Sequence, residues 1–184
     1  DGPILNLPKV LAWLIGINIA VHVIRLILPG RTDGMVILNL GFIPALFSHV
    51  VETPILLVYL SPLTYMFLHG GLAHLLINMA TLAAFGTPVA RHFGPARAVA
   101  FYLLSGLGAA LAHYALYPAS PYPMIGASGA ISGMFAGTLL LMRRFSRRAS
   151  DRKANAVMIT VWVGMTVLFA LFDVGIGGEN VAWV

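Results

Sequence analysis

Length, composition and charge exclude an ordinary water-soluble domain. Of the 184 residues, 59% are hydrophobic and only 9% are charged, whereas a soluble globular domain has about 25% charged residues. The net charge of +5 comes mainly from basic residues in short loops between apolar segments. This distribution is typical of a protein at lipid headgroups and not of one that binds nucleic acid. The absence of cysteine excludes disulfides, thiolate metal sites and a cysteine nucleophile.

The first predicted transmembrane span covers residues 10–28. It ends at Pro29-Gly30, a turn signal through which a helix does not readily continue. Residues 31–61 are also apolar, but glycines and prolines interrupt them. We predict here a long interfacial first loop with short helical pieces instead of a second crossing.

Four further spans are predicted at residues 72–89, 98–117, 126–142 and 156–174, which makes five visible transmembrane helices in an all-α bundle. Six basic residues follow the fourth span and form a basic cluster: Arg143, Arg144, Arg147, Arg148, Arg152 and Lys153. The positive-inside rule places this cluster and the amino terminus in the cytoplasm, with the cluster at the anionic headgroups of a cell (inner) membrane.

The fourth span carries the strongest candidate for chemistry. A helix from Ser128 to Met142 is only about 22 Å long, whereas the hydrocarbon core is ~30 Å thick. If the basic cluster fixes its far end, Ser128 lies below the opposite membrane surface. Irregular backbone at that depth must be enclosed by protein, so we expect other helices to surround residues 123–126.

The residues around Ser128 suit a nucleophile. In Gly126-Ala127-Ser128-Gly129 the small neighbours let a substrate backbone approach closely, and the N–H groups of a helix start can donate to a developing oxyanion. An alternative interpretation uses the same residues for packing. Three glycines at a spacing of four residues are typical of a close helix contact in membranes, and Ser128 could simply be a helix cap; these glycines are Gly129, Gly133 and Gly137.

Two polar residues of the second span favour the catalytic interpretation. His74 and Asn78 lie four residues apart, and therefore on one helix face, near the same membrane surface as Ser128. Hydrogen bonding between helices explains either residue alone, but as a pair they are suitable donors for an oxyanion. Asn18 and His22 in the first span have the same spacing, and we interpret them as contacts between helices. His69 is expected to order the loop before the second span.

Together these motifs resemble the rhomboid family of intramembrane serine proteases. Residues 67–79 read Phe-Leu-His-Gly-Gly-Leu-Ala-His-Leu-Leu-Ile-Asn-Met, which is similar to the family's His-x-x-x-Asn helix, and residues 126–129 are similar to its Gly-x-Ser-Gly motif. The likeness in the order of the spans and the long first loop extends over nearly the whole chain. We therefore interpret residues 1–184 as a single rhomboid-like membrane domain that is incomplete at its C-terminus.

The resemblance implies residue roles and an activity. Ser128 would be the nucleophile, His74, Asn78 and the backbone N–H of Ser128 would bind the oxyanion, and Gly126 and Gly129 would border the substrate. The implied activity is hydrolysis of peptide bonds in or near the transmembrane segments of membrane-protein substrates, without a metal or another cofactor. The aromatic-arginine pair that many members have in the first loop is not evident here.

The general base is the second departure from the family pattern. The resemblance implies a histidine on a sixth span, and the sequence ends about where that helix would begin. We expect the base to follow Val184, and the chain as given to be inactive without it, because a serine hydroxyl alone is a poor nucleophile. Two alternatives stay open: His113 on the third span as the base, or a catalytically inactive rhomboid-like protein that binds transmembrane helices as a scaffold, chaperone or complex subunit.

Overall fold

The computed structural model describes residues 7–48, 56–145, 153 and 156–164, and this part of the chain is all-helical. The helices are α1 (Lys9–Leu26), α2 (Gly30–Leu40), α3 (Pro44–Phe47), α4 (Leu56–Thr64), α5 (Leu72–Phe93), α6 (Pro95–Leu116) and α7 (Ser128–Phe145), with a 3-10 turn at Tyr65–Phe67 and helical backbone again at 156–164.

Within the described ranges, α1, α5 and α6 are long and apolar enough to cross a membrane. They correspond to the first three predicted spans. The fourth predicted span is present as α7, which falls outside that group and ends with Arg143 and Arg144 in its last turn. Of the fifth predicted span, 156–164 is helical, and 165–174 lies outside the described residues.

Helix boundaries follow local chemistry. Pro8 and Pro29 directly precede α1 and α2. Gly94 joins α5 to α6 with a φ of +84°, a conformation that favours glycine, and Pro95 then occupies the first helical position. The second predicted span ends at residue 89, but α5 continues to Phe93, because its last turn accommodates Arg91 and His92 at the negative end of the helix dipole.

Close contacts fix the directions of the long helices. A Cβ atom at Gly129 would overlap that of Ala109, and one at Gly137 would lie 3.1 Å from the ring of Phe101, so α6 and α7 run antiparallel. Since α5 and α6 are joined by a single glycine, α5 runs parallel to α7. The hydroxyl of Thr138 on α7 donates to the carbonyl oxygen of Phe85 on α5 at 2.7 Å, which sets their register.

The glycine stripe of α7 lies against α6. Beside Gly129 and Gly137, a Cβ atom at Gly133 would overlap the side chain of Ser105. The backbones therefore approach more closely than larger residues would allow. This contact supports the packing interpretation of the glycine spacing, while leaving the residues before Gly129 for other roles.

Replacing Gly129 by alanine is expected to destabilise the α6–α7 contact, by roughly 1–3 kcal/mol as for other overpacked interiors. The second substitution Ala109→Gly removes the overlapping methyl group, so the double variant should unfold at a higher temperature than Gly129→Ala alone. Thermal unfolding in detergent micelles measures both. If Gly129→Ala instead unfolds like the wild type and loses only activity, Gly129 contacts substrate and packing is not its main role.

The chain between α1 and α5 is folded onto the segment that precedes α7. Phe42 and Met124 form an antiparallel bridge, in which Phe42 N donates to Met124 O at 3.0 Å and Met124 N to Phe42 O at 2.8 Å. Farther along, Ala45 N donates to Ser120 O at 3.1 Å. Residues 124–127 are buried and Pro123 is half-buried. We expected other helices to surround residues 123–126, and part of the cover is instead the extended backbone of Phe42.

Five basic residues lie at one end of the bundle, whereas Arg25 and Arg31 lie at the other. Lys9 begins α1, Arg91 lies in the last turn of α5, and Arg97 lies near the start of α6. Arg143 and Arg144 lie in the last turn of α7. Because the helix directions alternate, all five are at the end of the bundle opposite to Ser128.

Candidate active site

Ser128 is the first residue of α7, as the sequence predicts. Its side chain is partly accessible, whereas Met124 to Ala127 directly before it are buried. At a helix start the first backbone N–H groups have no acceptor within the helix. One turn later the hydroxyl of Ser132 donates to the carbonyl oxygen of Ser128 at 2.9 Å, so Ser132 is engaged with the helix backbone.

Gly126 brings Ser128 and His74 to the same small space. A Cβ atom at position 126 would lie 2.8 Å from both Cε1 and Nε2 of His74 and 3.9 Å from the hydroxyl oxygen of Ser128. Gly126 has a φ of +121°, which L side chains rarely adopt, and its N–H donates to Tyr65 O at 3.0 Å. Glycine is thus required here both by conformation and by space.

The register of α5 and α7 places Asn78, the second polar residue of α5, near the level of Ser128 along the bundle. Thr138 on α7 contacts Phe85 on α5, and ten residues earlier in each parallel helix are Ser128 and Leu75. His74 and Asn78 lie immediately before and almost one turn after Leu75. Asn78 is buried, and its amide nitrogen donates to the carbonyl oxygen of His74 at 3.1 Å.

The structure therefore brings Ser128, His74 and Gly126 together. It places Asn78 at a similar level along the axes of α5 and α7. Gly129 faces α6, where its nearest neighbours are Ala109 and the hydroxyl of Tyr65. That hydroxyl donates to the carbonyl oxygen of Gly106 at 2.8 Å, so Tyr65 links α6 to the turn that holds Gly126.

The alternative base His113 lies in the last turn of α6 and is buried. Its ring is 5.4 Å from that of Tyr117. The α6–α7 register, in which Ala109 faces Gly129, puts His113 one turn beyond that contact, level with residue 125. Among the described residues, no group of three histidine, aspartate or glutamate side chains is arranged to hold a metal ion.

His69, with His22 and Arg25 near it, forms a polar cluster next to His74. The sequence did not predict this cluster as part of the site. The rings of His69 and His74 meet edge to face, with centroids 5.1 Å apart. His69 is almost fully buried, and burial, reinforced by nearby His22 and Arg25, lowers its pKa to about 4, so the ring is neutral at pH 7. The available sequence signal was Arg25, an arginine within the last turn of an apolar span.

Comparisons with known proteins identify the family of this chain. The family model described as the Rhomboid domain matches residues 58–184. The chain is 33% identical over 118 residues to the rhomboid protease GluP of Bacillus subtilis (strain 168), covering 64% of this chain and 22% of that protein.

Two relatives from Arabidopsis thaliana differ in what their names state. RHOMBOID-like protein 5 is 35% identical over 96 residues, covering 52% of this chain and 31% of that protein. Inactive RHOMBOID-like protein 8 is 32% identical over 101 residues, covering 54% of this chain and 28% of that protein. The chain thus spans less than a third of the length of each of these three relatives. Since the family model matches well over half of the 184 residues, the chain is a membrane protein that belongs to the rhomboid family.

Proposed function

We propose that this protein is an intramembrane serine protease that hydrolyses peptide bonds in or near the transmembrane segments of other membrane proteins. The observation that supports this most is the small space beside Gly126, which both the His74 ring and the Ser128 hydroxyl border. A buried glycine with positive φ, a serine at a helix start and a ring nitrogen suit acyl transfer better than simple helix packing.

In the proposed reaction the Ser128 oxygen attacks the carbonyl carbon of the scissile bond, while its proton passes to a general base. The resulting oxyanion accepts hydrogen bonds from His74, Asn78 and the backbone N–H of Ser128. In a site shielded from bulk water such donors are worth about 3–4 kcal/mol each. The base returns the proton to the leaving amine, and water then hydrolyses the acyl-enzyme.

The base is expected from a histidine outside the 184 residues. The sequence has six histidines, and none follows His113. By resemblance to the family, the proposed base is a histidine of a further helix that faces Ser128. No metal or other cofactor takes part in the proposed reaction, since the hydroxyl, the base and the oxyanion donors suffice for it.

The membrane orientation is also part of the proposal. Cations at the end of the bundle opposite to Ser128 favour a cytoplasmic location for that end and for the amino terminus in a cell membrane. The basic cluster would then contact anionic headgroups, and cleavage would take place near the outer surface.

A second candidate is a catalytically inactive rhomboid-like protein that binds transmembrane helices as a scaffold, chaperone or complex subunit. One relative, RHOMBOID-like protein 8 of Arabidopsis thaliana, is named inactive.

Reaction with a fluorophosphonate distinguishes the two candidates. The full-length protein in lipid nanodiscs is treated with the reagent, and peptide mass spectrometry locates the adduct. We expect it on Ser128 and not on Ser132, whose hydroxyl is bonded to the helix backbone, because only a serine with a base and an oxyanion site reacts. A folded protein with no adduct on Ser128 contradicts the protease proposal and favours the inactive alternative.

A further inference from the structure

An ion pair connects the end of α1 to the start of α2, at the same end of the bundle as Ser128. The guanidinium of Arg25 binds both carboxylate oxygens of Asp33, with Nε donating to Oδ1 at 2.6 Å and Nη2 to Oδ2 at 3.0 Å. The turn at Pro29-Gly30 brings the two side chains together. The Arg25 side chain is only 9% exposed and that of Asp33 28%, so the pair is largely shielded from solvent.

A third hydrogen bond of the same guanidinium reaches the candidate site. Arg25 Nη1 donates to the carbonyl oxygen of His69 at 2.7 Å. His69 lies in the short segment between the 3-10 turn and α5, so this bond fixes the backbone from which α5 begins. Packing alone would not require an arginine here. Its flat fork of donors can hold a carboxylate and a carbonyl group at fixed angles, which a lysine ammonium cannot do.

The contacts continue from His69 to the serine. The His69 ring lies edge to face against the His74 ring at 5.1 Å, and the His74 ring lies against Gly126, next to the Ser128 hydroxyl. A chain of contacts therefore runs from Asp33 through Arg25, His69 and His74 to Ser128. The links as far as His74 are hydrogen bonds or ring contacts, and the last one is the space beside Gly126 that His74 and Ser128 share.

We propose that Arg25, held in place by Asp33, is a positioning residue that sets the orientation of the His74 ring toward the Ser128 oxygen. The inference rests on the proposed function only in the role of His74 as an oxyanion donor. The geometric part, that Arg25 controls where the ring of His74 lies, stands independently of activity. Catalytic donors must be placed closely, since a displacement of about 1 Å can cost on the order of 100-fold in rate.

The test compares Arg25→Lys with Arg31→Lys in the full-length protein. Lysine at position 25 keeps the charge and can pair with Asp33, but it cannot hold the carboxylate and His69 O in the same fixed geometry. Arg31, an exposed arginine in the first turn of α2, is the matched control. The first readout is the ring NMR resonance of His74 in histidine-labelled protein, assigned with a His74→Gln variant. The second is kcat and KM on a single-span reporter substrate in proteoliposomes.

We expect Arg25→Lys to move the His74 resonance and to lower kcat about tenfold with little change in KM, as for loss of a donor that acts in the transition state. Arg31→Lys should leave both readouts at wild-type values. A His74 resonance unchanged in Arg25→Lys overturns the proposal, whatever the activity. If wild type and Ser128→Ala show equal reporter cleavage, the proposed function fails, and the resonance still decides the positioning role. A loss of thermal stability with an unmoved resonance identifies a structural ion pair only and also overturns it.

Discussion

Replacing Ser128 by alanine is expected to lower the cleavage of a transmembrane reporter by a factor on the order of 10³ or more. The hydroxyl oxygen is the proposed attacking atom, and without it neither the acyl-enzyme nor its hydrolysis can occur. In serine proteases the loss of the nucleophile leaves only the contribution of binding and the oxyanion site. The measurement is initial rate in proteoliposomes that contain full-length protein and a single-span substrate.

Ser132→Ala is the matched control for this variant. Ser132 lies on the same helix one turn away, and its hydroxyl is bonded to the Ser128 carbonyl oxygen. Its replacement should leave turnover within about twofold of wild type, since loss of such a local backbone bond has a small effect on a helix. Equal loss of activity in both variants, with lower melting temperatures, indicates damage to α7 and contradicts the specific role of Ser128.

The substitution Gly126→Ala is expected to lower turnover by about 100-fold or more, because the added methyl group would lie 2.8 Å from the His74 ring and a displacement of about 1 Å in a catalytic group has an effect of that size. Alanine also fits poorly at a φ of +121°, which costs roughly 1–3 kcal/mol. We therefore expect a lower melting temperature together with lower kcat in the reporter assay.

Gly108→Ala separates the effect of the site from that of a glycine substitution as such. A Cβ atom at Gly108 on α6 meets nothing within 4 Å, and alanine is favoured over glycine within a helix by about 1 kcal/mol. This variant should be as active as wild type and at least as stable. Should Gly126→Ala retain more than half of wild-type turnover, the His74 ring is not needed where the structure places it.

The sequence predicted the long helices because their signals are local and strong. Apolar segments of sufficient length, ended by proline, glycine or charge, define α1, α5 and α6. The start of α7 at Ser128 was also predictable, since three prolines and a glycine lie in the segment before it. The closeness of Ser128 to His74 followed from a topology in which both helices begin at the same membrane surface.

Other parts of the site depend on contacts that sequence spacing does not reveal. The bond from Arg25 to His69 O joins residues 44 positions apart, and no local pattern indicates which carbonyl group an arginine at a helix end will bind. Gly129 was predicted to border the substrate together with Gly126, and motif spacing does not reveal which face of α7 packs against α6, because that depends on helix rotation. The contact with Ala109 decided that orientation.

The bridge between Phe42 and Met124 makes the backbone before Ser128 dependent on a segment that is synthesised much earlier. Backbone ahead of a helix start lacks partners in that helix, and here Phe42 makes two hydrogen bonds with Met124 and Ala45 makes one with Ser120. If α7 were inserted before residues 42–45 had docked, Ser128 would lie at the right level along the bundle. The backbone that leads to it would then have no defined conformation. Formation of the candidate site is thereby coupled to completion of the surrounding bundle.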